Sequence, residues 1–113
     1  MKYRSSKRAK ALAISEDTKN KVWCRDAGKC VYCQIMNEWT GYRAFPEAHF
    51  IPRSKGGLGI PENILTLCRP HHDMYDHGPR ETRLYMKGKF AEYLKHYHPD
   101  WDESKLIYRK ENL

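Results

Sequence analysis

Apolar positions along this chain come in short groups punctuated by Gly, Pro and charge, and each group predicts an element. From Ser15 the pattern predicts a helix to about Ala27, with Ser15 as its cap and Glu16 and Asp17 in a first turn that favours acidic groups. Val22 and Trp23 are expected to face inward, and Gly28 to end the helix. Lys29 to Gln34 (KCVYCQ) reads as a tight knuckle carrying two thiols. Residues 34–42 read as a loop anchored by Ile35, Met36 and Trp39. Residues 43–51 read as a strand interrupted by Pro46, and residues 63–67 as a second strand. The Gly/Pro-rich stretch 52–62 between them predicts a wide hairpin. Pro70 suits the first turn of a helix over about 70–77, stopped by Gly78-Pro79. A longer helix follows over 80–97, with Leu84, Tyr85, Phe90, Tyr93, Leu94 and Tyr97 as its apolar face. Gly88 weakens it and Pro99 ends it. Trp101, Leu106 and Ile107 are expected to dock the tail.

The 113-residue length predicts one domain, and no second domain or internal repeat is visible. A chain this size buries only about two thirds of its unfolded surface. The composition is polar, with 31% charged residues and a mean hydropathy of −0.89, so a metal brace would help. No apolar run reaches the ~18 residues that span a membrane, and the basic start, with Lys2, Arg4, Lys7, Arg8 and Lys10, is a poor signal peptide. The expectation is a soluble, cytoplasmic protein, in which four cysteines read as metal or redox groups rather than disulfides.

A net charge of +7 attracts polyanions and changes the picture towards nucleic acid as partner. The plainer alternative is a basic protein with no such partner. Residues 1–14 read as a basic N-terminal arm, with Lys19 and Lys21 just beyond it. Arms of this kind are often mobile and can lie along phosphates, or idle in solvent.

Two compact pairs, Cys30-x2-Cys33 and Cys68-x2-His71, make up the three-sulfur, one-nitrogen set of structural zinc sites. Such a site is closed, with no open position for catalysis. The alternative is buried thiols or a redox CxxC. Cys24 is the spare, expected to be inert and buried.

A second set of residues falls on the hairpin and the short helix. His49 lies on the first strand, Asn63 at the entry to the second, and His72 on the helix. His72 and Asp76 are i and i+4 and share one helix face, while His71 points about 100° away. One short helix can therefore serve two ions. Outside a motif, His49 would be an ordinary packed histidine and His72 a surface one.

CxxC, then A-H-F-I-P-R-S-K-G-G, then N-I-L-T-L-C-x-x-H-H, resembles the HNH endonuclease family in its zinc-stabilised form, over about residues 22–78. Small phage-borne members look broadly alike. The resemblance implies an α+β fold: a ββα-metal (His-Me finger) core, flanking N- and C-terminal helices and a structural zinc knuckle. Residues 15–113 would form the single nuclease domain, with 79–113 as its helical extension.

The resemblance further implies a metal-dependent DNA endonuclease. His49 would be the general base, Asn63 the brace of the loop that holds it, and His72 a ligand of the catalytic ion. Asp76 falls where the colicin nucleases place another metal-binding histidine. Histidine with carboxylate suits Mg²⁺, Mn²⁺ or Ni²⁺. Arg53 and Lys55, in a flexible loop with Gly56 and Gly57, would meet the DNA backbone, the plainer reading being an ordinary long hairpin loop. Tyr85, Tyr93 and Tyr97 read as core or helix surface before base-stacking groups. Partners in phage packaging or restriction follow from the same likeness.

One position departs from the family. The residue before the base is usually a metal-binding Asp, Glu or His, and here it is Ala48. Glu47 is the nearest replacement and His77 an outsider. The competing expectation is a zinc-stabilised nucleic-acid-binding module whose nuclease activity is weak or lost; a zinc-knuckle adaptor between proteins is a third reading.

Overall fold

A computed structural model describes residues 6–110. It is an α+β structure with five helices and one two-stranded antiparallel sheet among those residues. The order is α1 (Lys7–Leu12), α2 (Glu16–Arg25), α3 (Val31–Met36), β1 (Ala44–His49), β2 (Ile64–Cys68), α4 (Arg69–His77) and α5 (Arg80–Tyr97). No described helix is long and apolar enough to cross a membrane.

Local chemistry accounts for most boundaries. The Ser15 hydroxyl accepts from the Thr18 amide at 3.1 Å and opens α2. Ala27 and Gly28, at φ 57° and 65°, turn the chain out of it. Cys30 caps α3 through its own sulfur, which accepts from the Cys33 amide. The knuckle therefore continues as a helix to Met36, where the sequence suggested a loop from residue 34.

β1 pairs with β2 from Ala44 opposite Cys68 to His49 opposite Ile64, with one extra residue on β1 between Phe45 and Ala48. Pro46 sits in that bulge, where its missing N–H costs the ladder nothing. Every residue of β2 is buried. Its far edge has no strand; instead Arg25 donates to the Ile64 carbonyl at 2.6 Å, and Asp26 accepts from the Thr66 amide at 2.9 Å. A side-chain ion pair thus takes the place of a third strand, and those buried backbone groups stay satisfied.

Two apolar expectations are corrected. Val22 is fully buried, but Trp23, about 100° round the helix, stays partly exposed and lies over Gly28. On α5 the core stripe is Met86, Phe90 and Leu94, while Leu84, Tyr85 and Tyr97 are exposed. The i, i+4, i+8 spacing of that stripe passes through Met86, a residue the sequence reading left out.

The hairpin loop is held rather than loose. A 3-10 turn over Arg53–Lys55 opens it, and both ends of the chain tie it down. The Gly59 amide donates to the Ala11 carbonyl at 2.9 Å, Leu58 donates to Leu106 at 2.8 Å, and Tyr108 donates to Gly56 at 2.8 Å. Gly59 allows the N-terminal segment this close, since a Cβ would fall 2.0 Å from the Ala13 carbonyl oxygen, and Gly57 lets the loop fold onto its own start, where a Cβ would fall 1.7 Å from the Ile51 carbonyl oxygen. Trp101, Leu106 and Ile107 dock the tail as expected, with the Trp101 indole donating to the Glu62 carbonyl.

The basic arm is also more structured than its composition suggests. Lys2 and Arg4 lie outside the described residues. Lys7–Leu12 form α1, capped by Ser6, and bury Leu12.

Candidate metal centre and candidate active site

Cys30 starts α3, Cys33 lies one turn on, Cys68 ends β2 and His71 faces inward from the first turns of α4. All four are buried, and their ligand atoms lie within 4.8 Å of one another. The His71 Nδ1 is 3.4, 3.5 and 3.3 Å from the sulfurs of Cys30, Cys33 and Cys68, and the latter two sulfurs are 3.9 Å apart. A tetrahedral ion with metal–sulfur bonds of ~2.3 Å and metal–nitrogen bonds of ~2.0–2.1 Å requires about 3.5 Å between nitrogen and sulfur and about 3.8 Å between sulfurs. The group fits, and can bind a metal such as zinc.

The surroundings support that fit. The Thr40 hydroxyl donates to the Cys68 sulfur at 3.2 Å, and the Tyr32 ring stands edge-on to His71. Burial pushes the Cys30 thiol up to about 12, so the protein alone disfavours its thiolate. At Cys68 burial pushes the same way, but donors led by Thr40 outweigh it and hold that thiol below its usual value. Burial also lowers His71, keeping it the neutral imidazole a metal needs. Cys24 is exposed, contrary to the expectation that it is buried, and stands apart from this group.

In the strand ladder His49 lies opposite Ile64, at the other end from Cys68. Asn63 is buried and tied to the loop on three sides: its Oδ1 accepts from the Ile51 amide at 2.8 Å, and its Nδ2 donates to the carbonyls of Leu58 at 2.8 Å and Ile51 at 3.2 Å. His72 and Asp76 pair on the outer face of α4 at 3.3 Å. The charges of Arg53, His72 and Asp76 all act on His49. Arg53 and Lys55 are exposed on the 3-10 turn beside it.

One partner of His49 went unseen in the sequence. Its Nε2 lies 2.9 Å from the Leu12 carbonyl oxygen at the end of α1. A carbonyl can only accept, so Nε2 carries the proton and the neutral ring keeps its lone pair on Nδ1. Burial, reinforced by Arg53 and His72 and opposed by the Leu12 bond and Asp76, holds His49 below its ordinary value, hence neutral at pH 7. A backbone carbonyl leaves no trace in side-chain patterns. The only clue was the density of glycines at 56, 57 and 59, which implies another chain segment pressed close.

Other candidates fall away from the site. Ala48 is buried and offers no ligand atom. Glu47 pairs instead with Lys19 on α2 at 3.8 Å. His77 is at the exposed end of α4. Among the described residues the Cys30, Cys33, Cys68 and His71 set is the one group of three or more close ligands, so His72 and Asp76 stand as a pair.

Equally invisible in the sequence was a buried polar network around Asp26. Its carboxylate accepts from Arg25 at 2.7 and 3.0 Å, from the Tyr93 hydroxyl at 2.7 Å and from the Thr66 amide. Arg25 also reaches the Pro61 carbonyl and the His98 ring. This network joins α2, β2 and α5.

No family model, no curated protein and no solved structure matches the chain.

Proposed function

We propose that this protein is a zinc-braced, metal-dependent DNA endonuclease of the HNH type, built on β1, β2 and α4. The reading is carried by one observation: the Leu12 carbonyl sets the tautomer of a neutral His49 and leaves its lone pair on Nδ1, as a general base needs. His72 and Asp76 pair on α4 as the candidate ligands. Base, orienting group and candidate ligands then sit on three separate elements held by a shared core.

In this reading Nδ1 of His49 takes the proton from an attacking water. Leu12 stabilises the imidazolium that forms, as an orienting carbonyl does. Asn63 keeps Ile51 and Leu58 in place, and so fixes the strand end that carries the base. Arg53 and Lys55 meet the phosphate backbone from the exposed turn. Cys30, Cys33, Cys68 and His71 would hold zinc as a structural brace. His72 and Asp76 would hold a Mg²⁺, Mn²⁺ or Ni²⁺ ion, which would relieve charge on the phosphate as a Lewis acid. Two protein ligands suffice for such an ion when water and substrate oxygens complete its shell.

The test is plasmid nicking in each ion. His49→Ala is expected to lower the rate about 10²–10⁴-fold with zinc content unchanged. The pH profile is a second check. His49 is lowered from 6.5, and only its neutral form can accept a proton, so the rate should stay level through that ordinary value and fall only at a lower pH. Parental cutting by His49→Ala would remove the base from this account.

Ala48 favours a second reading, in which the fold binds nucleic acid without cutting it. Binding that weakens with salt, and no cleavage in any divalent ion, would select that reading.

A further inference from the structure

Beside the metal centre, on the face carrying Trp23 and Trp39, lies a cavity of about 330 Å³. That volume is at the small end of ligand pockets. Its walls include Trp23, Trp39 and Tyr42, its rim carries Lys29 and Arg43, and no carboxylate lines it. The three aromatic residues are 44%, 56% and 66% exposed, far from the norm for such side chains in a small domain. Phe45, also exposed, adjoins them on β1. The cations already sit over rings: the Lys29 ammonium is 5.8 Å from the Trp39 centroid, and the Arg43 guanidinium 5.5 Å from that of Phe45.

We propose that this cavity is a stacking site for an unpaired base of single-stranded nucleic acid, with Lys29 and Arg43 on the flanking phosphates. Exposed aromatic faces with interleaved cations and no opposing acid are what base stacking and backbone tracking require. A proline-rich peptide also favours aromatic grooves, but gains nothing from two cations and a net charge of +7. The metal centre contributes by position: Cys30 and Cys33 line the cavity, so an ion held by them would also steady this site. This inference rests on nucleic acid being the partner, as the proposed function holds, but not on hydrolysis.

Trp23 and Trp39 are built-in reporters. A thymidine homo-oligonucleotide added to the full chain, zinc-loaded, at low salt should quench tryptophan emission. Trp39→Ala should weaken that binding about tenfold. Joint replacement Lys29→Ala with Arg43→Ala should flatten the salt dependence by about 1.4 units of log–log slope, about 0.7 for each phosphate contact on a single strand. Zinc content and circular dichroism report whether each variant folds, and Tyr42→Ala, at the most exposed of the three rings, supplies an independent loss if Trp39→Ala does not. Duplex nicking by the same variants separates the two claims. Quenching without nicking keeps this site and removes the endonuclease. Nicking without quenching keeps the endonuclease and removes this site. Unchanged oligonucleotide affinity in both aromatic variants, or displacement of the oligonucleotide by a proline-rich peptide, overturns the proposal.

Discussion

His71 and His72 are consecutive on α4, yet they sit in opposite kinds of chemistry. His71 is buried and faces three sulfurs at 3.3 to 3.5 Å, a set with no position left over. His72 is partly exposed and faces one carboxylate, a set that is incomplete without outside ligands. The helix itself makes the division, since successive residues point about 100° apart. The closed side is a matter of folding and the open side a matter of binding, so perturbations of each should appear in different measurements.

The largest expected effect is on the closed side. The four buried groups come from α3, β2 and α4, so a metal there would tie three elements at one point of a small core. Structural zinc supplies on the order of 10 kcal/mol in such cases, comparable to the whole stability of a domain. Stripping the metal with a chelator, or replacing Cys68 by Ser, should abolish the cooperative thermal transition followed by circular dichroism. A chelated protein that still melts cooperatively near the parental temperature would reduce the centre to buried thiols.

How legible each side was follows from where its partners come from. The closed centre could be read because CxxC and CxxH bring ligands together within single turns, so the long gap between the pairs is irrelevant. The hairpin and α4 were legible for a similar local reason, since Gly and Pro mark their bounds directly, and the docked tail because Trp101, Leu106 and Ile107 are apolar in a charged stretch. The orienting carbonyl of Leu12 could not be read, because a backbone oxygen has no residue identity and the segment carrying it looked like a charged tail. The exposure of Trp23 turned on which of two neighbouring apolar residues wins the inner face, a question of packing.

The Arg25–Asp26 network was hidden because adjacent opposite charges at a helix end usually mean solvent. Here both are buried, with side-chain exposures of 8% and 0%, and they cap the bare edge of β2. That makes Asp26 the next largest effect. Asp26→Ala leaves the guanidinium buried without its counterion and deprives Tyr93 and the Thr66 amide of their acceptor, a loss of about 3–5 kcal/mol. Urea denaturation of the zinc-loaded protein measures it. A cost under about 1 kcal/mol would mean that solvent reaches the pair and that β2 needs no such cap.

The smallest effects sharpen the open side, through two carboxylates near His49. Asp76 is one turn from His72 and bonded to it; Glu47 is two residues before His49 in sequence, but its side chain is turned to Lys19 on α2. If the pair on α4 holds the exchangeable ion, Asp76→Asn should slow nicking about tenfold, or about 1.4 kcal/mol, and raise the divalent-ion concentration needed for half-maximal rate. Glu47→Gln should leave both unchanged within about twofold, and should shift stability by under about 0.5 kcal/mol, because its 3.8 Å pairing with Lys19 is a solvent-facing contact of the kind worth little in water. The opposite outcome, a strong ion requirement at Glu47 and none at Asp76, would mean that the strand swings its carboxylate past Ala48 when substrate binds. The ion would then sit on the hairpin, and α4 would hold the zinc brace alone.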